Sequence, residues 1–162
     1  MTLKTLIASA SLLLTSVCVN AQVGMLEYAV GARLGTGTGI SGQYFYTDHH
    51  VFEGIVFTRW KGFSVTGLYE HHMQIQDVKG LKWYMGIGGH TSFYPIASTH
   101  PDLGKSVAGN AYFFGGDAIL GLEYFFRSIP IQMSVDVKPE YNFGIIDRLD
   151  MTNGGISLRY RF

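Results

Sequence analysis

This chain of 162 residues has one cysteine, four prolines and no excess of charge of either sign, with 12 Lys and Arg against 12 Asp and Glu. Past the N-terminal segment it also lacks any apolar run of transmembrane-helix length, which takes about 20 residues. Each scarcity excludes something. The zero net charge leaves no basic footprint for nucleic acid. The single Cys18 lies in the N-terminal segment. If that segment is removed, neither a disulfide framework nor a thiol nucleophile remains. What is abundant is unusual for a water-soluble chain of this size: 21 Gly, 11 Phe and 10 Tyr. Glycines and aromatics spread over short alternating segments are the distributed signal of a membrane-spanning barrel.

The N-terminus reads as a secretion signal. Lys4 supplies the charge, Leu6 to Val17 the apolar core, and Val19-Asn20-Ala21 a small-residue cleavage site. Residues 1–21 are therefore expected to be a signal peptide, with one barrel domain over 22–162. The apolar core is too short for a membrane anchor. Val17 directly before Cys18, with Thr15 where a lipobox usually has Leu, argues against a lipidated cysteine.

The rest predicts eight strands, near 25–34, 40–47, 51–60, 63–73, 81–94, 111–126, 130–142 and 154–162. In the seventh, Ile131, Met133, Val135 and Val137 share one face, while Gln132, Ser134, Asp136, Lys138 and Glu140 share the other. In the last, Ile156, Leu158, Tyr160 and Phe162 oppose Ser157, Arg159 and Arg161. A terminal Phe with Tyr two residues earlier resembles the final strand of bacterial outer-membrane barrels. Even-numbered connections, such as Asp48-His49-His50, Gln76 to Gly80 and Arg127-Ser128-Ile129, are compact, as periplasmic turns are. Of the outward connections, Pro95 to Asn110 is long and Gly144 to Asn153 moderately so, whereas Gly35 to Gly39 and Lys61-Gly62 are short.

The faces decide between a soluble and a membrane barrel. Lys or Arg on a lipid face costs about 2–4 kcal/mol at mid-membrane, and the apolar faces here carry almost no charge. The polar faces hold Glu27, Arg33, Glu53, Arg59, Glu70, Lys82, Asp117, Glu123, Asp136, Lys138, Glu140, Arg159 and Arg161, of nearly balanced sign. A closed interior requires such balance, because an unpaired buried charge is strongly unfavourable. The expected fold is therefore all-β, an eight-stranded antiparallel up-and-down transmembrane barrel with its charges inside. If the third outward loop centres near residues 102 and 103, Lys82 pairs with Glu123 and Gly88 with Asp117. Tyr44, Tyr46, Trp60, Phe63, Trp83, Phe93, Tyr94, Tyr124, Phe125, Tyr160 and Phe162 are expected in interfacial girdles.

Several segments resemble a family of small outer-membrane β-barrel proteins of Bacteroidota. These are Phe52-Glu53-Gly54-Ile55, Thr66-Gly67-Leu68-Tyr69-Glu70, Gly80-Leu81-Lys82-Trp83-Tyr84 with Gly88-Gly89-His90, and Ile129-Pro130-Ile131 followed by Asp136-Val137-Lys138-Pro139-Glu140. The resemblance implies an eight-stranded barrel in the outer membrane and brings no activity, ligand or catalytic residue with it.

Two constellations invite chemistry. His90 and Ser92 share a face, with Asp117 diagonal to His90, and a base beside a hydroxyl and an acid is the arrangement that activates a nucleophile. The groups point into the lumen, however, away from lipid A. The His-x-Ser-Asn pattern of outer-membrane deacylases also breaks at Phe93. His49, His50, His71 and His72 cluster near the periplasmic rim, where His pairs could bind a transition metal. Adjacent strand residues point to opposite faces, so a polar rim is the favoured reading. No catalytic, cofactor or metal residue is therefore assigned. The expected function is non-catalytic: a closed outer-membrane barrel with a structural or extracellular partner-binding role. A narrow solute channel and a lipid A-modifying enzyme are the alternatives. Expected partners are outer-membrane lipid with its lipopolysaccharide outer leaflet, periplasmic chaperones and the barrel-assembly machinery. The sequence does not identify an extracellular partner.

Overall fold

The computed structural model describes residues 27–59, 62–94, 111–143 and 148–162. The expected signal peptide and the connection from Pro95 to Asn110 lie outside them. Ten strands appear: β1 Tyr28–Gly35, β2 Thr38–Phe45, β3 His50–Arg59, β4 Gly62–Gln74, β5 Leu81–Tyr94, β6 Ala111–Phe125, β7 Ile131–Val137, β8 Glu140–Phe143, β9 Arg148–Asp150 and β10 Gly154–Arg161. Each neighbour pairs antiparallel, from β1 through to β7, then β7 with β10 and β10 with β1, so the sheet closes. The result is an eight-stave barrel in which β8 continues the stave of β7 and β9 precedes that of β10.

Polarity is inverted relative to a water-soluble fold. Arg159 is 1% and Asp136 5% exposed, whereas Leu158 is 54% and Val135 52% exposed. Every long stave repeats the alternation, with buried Glu53, Glu70, Asp117, Glu123 and Lys138 flanked by exposed Phe52, Tyr69, Leu122 and Val137. The β5–β6 register is Lys82 with Glu123 and Gly88 with Asp117, as the loop centring requires. Lys82 points inward, its Nζ donating to the Asp48 carbonyl at 3.1 Å and lying over the Phe125 ring.

Three expectations need correction. The seventh strand is interrupted at Lys138-Pro139, because Pro139 has no N–H to donate to the ladder. Its carbonyl still accepts from Ala118 N, and the register against β6 is the same before and after the break. Arg148–Asp150, expected in a loop, form a strand paired to β8. The Lys138–Asn153 and Glu140–Asp150 alignments then place Met151 and Thr152 opposite Pro139 alone, a one-residue β-bulge that switches which residues face inward. Finally, Phe125, expected in an outer girdle, lies inside, packed on Arg161 and Phe45.

The stave lengths are unequal. The described chain begins and ends at one end of the barrel, where Tyr28 pairs with Phe162 and the turns at 46–49, 75–80 and 126–130 also lie. From that end, β1 and β2 run for 8 residues, β3 for 10, β4 for 13, β5 for 14 and β6 for 15. At roughly 3.3 Å per residue the β5–β6 hairpin stands some 20 Å further along the strand direction than the β1–β2 hairpin. The far rim slopes upward to the point where Pro95 to Asn110 departs.

The outer surface carries a second asymmetry. Gly42, Gly54, Gly67, Gly89 and Gly116 are direct partners across β2 to β6 and all point outward. Because staves of a barrel are tilted, this row runs obliquely round the wall. A Cβ at Gly54 or Gly67 would meet nothing within 4 Å. The row is flanked by Tyr44, Phe52, Tyr69 and Ile87 on one side and Ile40, Val56 and Val65 on the other, leaving an open apolar groove.

Candidate functional site

Side chains fill the lumen in stacked ionic layers, each set by which residues the register brings level. At the centre, Arg159 donates from Nε to Ser41 Oγ (2.6 Å) and from Nη1 to Ser134 Oγ (2.9 Å). Its Nη2 pairs with Glu53, a carboxylate that also accepts from Ser41 and Gln43. Gln132 bridges Gln43 and Glu123, donating to Glu123 Oε1 at 2.9 Å. Opposite charges with neutral amides and hydroxyls on the remaining lone pairs are the condition under which buried ion pairs are tolerated.

Toward the far end, Arg33 grips Asp136 through both Nη atoms, with Nη1 to Oδ2 at 2.7 Å. Tyr84 OH donates to the same Oδ2 at 3.0 Å. Tyr84 reaches Asp136 across Gly121, where a Cβ would lie 2.5 Å from the phenol ring, so the glycine makes the room this contact needs. Above that layer, Lys138 Nζ sits between Asp117 (3.1 Å) and Glu140 (3.0 Å), and Asn153 donates to Glu140 at 2.8 Å. On the near side, His72 stacks on Tyr84 and contacts Glu70 through Nε2 at 3.0 Å. Its Nδ1 lies 3.2 Å from Glu123 Oε2 but off the hydrogen-bonding angle, so that contact is electrostatic. At the near mouth the Arg161 guanidinium lies 4.5 Å from the ring centres of both Phe45 and Phe125. Five buried carboxylates face three buried Lys and Arg, and the two buried histidines, each on a carboxylate, supply the remaining cations when protonated.

The His90, Ser92 and Asp117 constellation assembles only in part. His90 Nδ1 meets Asp117 Oδ1 at 2.9 Å and Nε2 meets Asn142 Oδ1 at 3.0 Å, so both ring nitrogens are engaged and neither by Ser92. The Ser92 hydroxyl donates to Ser64 Oγ at 2.8 Å. His90, Asp117 and Glu140 bring ligand atoms within 4.8 Å of one another, but the Lys138 ammonium occupies the cationic position between the two carboxylates. The four rim histidines separate as the strand alternation demands. His72 turns into the lumen, while His50 and His71, directly paired across β3 and β4, face outward. His49, in the turn before β3, comes round to the same side, its ring 5.9 Å from that of His71.

The neutral lumen residues Ser41, Gln43, Tyr84, Gln132, Ser134 and Ser157 stand outside the charged set that the sequence singles out. Tyr84, Gln132, Ser134 and Ser157 carry a signal all the same, since each falls on the same parity as a charged neighbour in its strand; Ser41 and Gln43 lie in β2, which holds no charged residue.

No protein-family model matches this chain, and no curated protein sequence matches it. Among solved structures, the chain is similar to the N-terminal β-barrel domain of Pseudomonas aeruginosa OprF, with 15% identity over 83% of this chain and 96% of that one and a TM-score of 0.63. A structure of Neisserial surface protein A matches with 13% identity over 83% of this chain and 93% of that one, at a TM-score of 0.49. At such identities the first likeness is one of architecture, and the fold of this chain is that of a small, closed, eight-stranded outer-membrane barrel.

Proposed function

We propose that this protein is a non-catalytic barrel of the outer membrane, of the kind the Bacteroidota resemblance implies, that presents its far-end connections to extracellular partners on a rigid cylinder. One observation carries the reading: ionic layers cross the lumen from Arg161 to Lys138, and the Ser92 hydroxyl is engaged by Ser64 rather than by His90. The sloping rim supports it, because the tallest hairpin, β5–β6, bears the longest connection, Pro95 to Asn110. The apolar outer face supports membrane residence, since exposing Leu158, Val135, Ile156 and Val137 together to water would be unfavourable at about 25 cal/mol per Å².

The test has two arms. Planar-bilayer recordings of the purified protein are expected to show no discrete conductance steps, and reproducible steps would replace this reading with the solute-channel alternative. Trypsin added to intact cells is expected to cut after Lys105, within Pro95 to Asn110. A connection that is cut only after the cells are broken would overturn the proposed display.

A further inference from the structure

The outward histidines at the near rim form a chemical unit that the presentation role does not use. His50 and His71 are opposite one another on antiparallel strands, with ring centres 4.9 Å apart. The flanking backbone bond, His72 N to His49 O at 2.7 Å, makes theirs the non-hydrogen-bonded type of pair, the one in which side chains stand closest. His49 adds a third imidazole on the same side of His71. The groups behind the rings are equally specific. His49 Nδ1 lies 3.0 Å from the His72 carbonyl, an atom that can only accept, so Nδ1 carries the proton and Nε2 presents its lone pair. His50 Nδ1 lies 2.6 Å from the Tyr69 hydroxyl, and the His50 ring stacks on Tyr69 at 11°. A metal-binding imidazole characteristically engages its other nitrogen in this way, which fixes the ring and its tautomer.

We propose that His49, His50 and His71 form a binding site for one late first-row divalent cation, with His50 and His71 as the cross-strand chelate and His49 as third ligand. Three imidazoles without a carboxylate select zinc, copper or nickel over magnesium or calcium. The fourth tetrahedral position stays open to water or to a ligand from outside the chain. The three rings do not converge on a single point as they stand, so loading turns the His71 side chain toward the other two, while the β3–β4 pairing and the contacts behind His49 and His50 stay fixed. The site lies on the outer rim, and neither lumen conductance nor loop presentation bears on it.

The experiment is calorimetric titration of zinc chloride into the detergent-solubilised barrel, purified without a polyhistidine tag, with folding checked by heat-dependent electrophoretic migration. Wild type is expected to bind one equivalent saturably in the micromolar range. His71→Asn is expected to bind at least about tenfold more weakly while migrating as a folded barrel. His50→Asn serves the same purpose should His71→Asn not fold. Cobalt(II) in place of zinc is expected to give the visible d–d bands of a tetrahedral site in wild type and to lose them in the variant. No saturable heat in wild type, or binding of equal strength in a folded variant, overturns the site.

Discussion

Arg159 offers the sharpest test of the lumen. Replacing it with Met keeps an unbranched chain in the centre of the barrel but removes the donors to Ser41 and Ser134 and the partner of Glu53, which is 2% exposed. Two effects compete. The added apolar atoms stabilise by less than about 1 kcal/mol per methylene-sized group. Stranding a buried carboxylate costs about 3–5 kcal/mol, so destabilisation wins. Against a total stability on the order of 5–15 kcal/mol, a loss of that size moves the urea midpoint far. The assay is urea unfolding in lipid vesicles, followed by tryptophan fluorescence and by the fraction migrating as a folded band. Adding Glu53→Gln to Arg159→Met removes the orphaned charge and is expected to recover about 2 kcal/mol, within the coupling range of contacting residues. A loss below about 1 kcal/mol for the single variant, or a double variant no more stable than the single, would refute the claim that charge pairing in a sealed interior holds the staves together.

Three further expectations concern the wall. Leu158→Arg places a cation on the outward face of β10 and is expected to cost about 2–4 kcal/mol in vesicles; an unchanged urea midpoint would contradict a lipid-facing surface. Gly67→Ala is expected to stabilise by roughly 0.5–1 kcal/mol, since its Cβ meets nothing within 4 Å and the backbone gains restraint. Gly31→Ala, by contrast, would place its Cβ 1.8 Å from the Leu158 carbonyl oxygen and is expected to destabilise by at least about 1–3 kcal/mol. Equal thermal midpoints for the two glycine variants would show that these clearances do not govern the wall.

Much of this architecture is written in period-two patterning. The alternation in Ile131 to Lys138 and in Ile156 to Arg161 determines which side chains face inward, because a one-residue slip would exchange the two faces entirely. The Lys82–Glu123 register follows from where the third connection turns and from the attraction between facing opposite charges. What the sequence does not reveal depends on distant partners. Phe125 looks like a girdle aromatic until Arg161, from the last described strand, supplies a cation for its face. The bulge at Met151-Thr152 carries no proline or glycine of its own, and it follows from a mismatch with Pro139 on another stave. Alternation alone sorts the rim histidines only in part. The rule holds for His71 and His72 within β4 but not for His49, which precedes β3 and follows a turn instead.

The unequal staves decide how the cylinder comes apart. β5 and β6 zip together continuously from Leu81–Tyr124 to Tyr94–Ala111, while β1 and β10 are joined from Tyr28–Phe162 to Gly35–Gly155. The closing seam is thus among the shorter ladders, and it joins the first and last of the described strands. Hydrogen exchange is expected to show fraying first along the short ladders of β1, β7 and β10, and last in the β4–β6 panel, which the longest ladders hold.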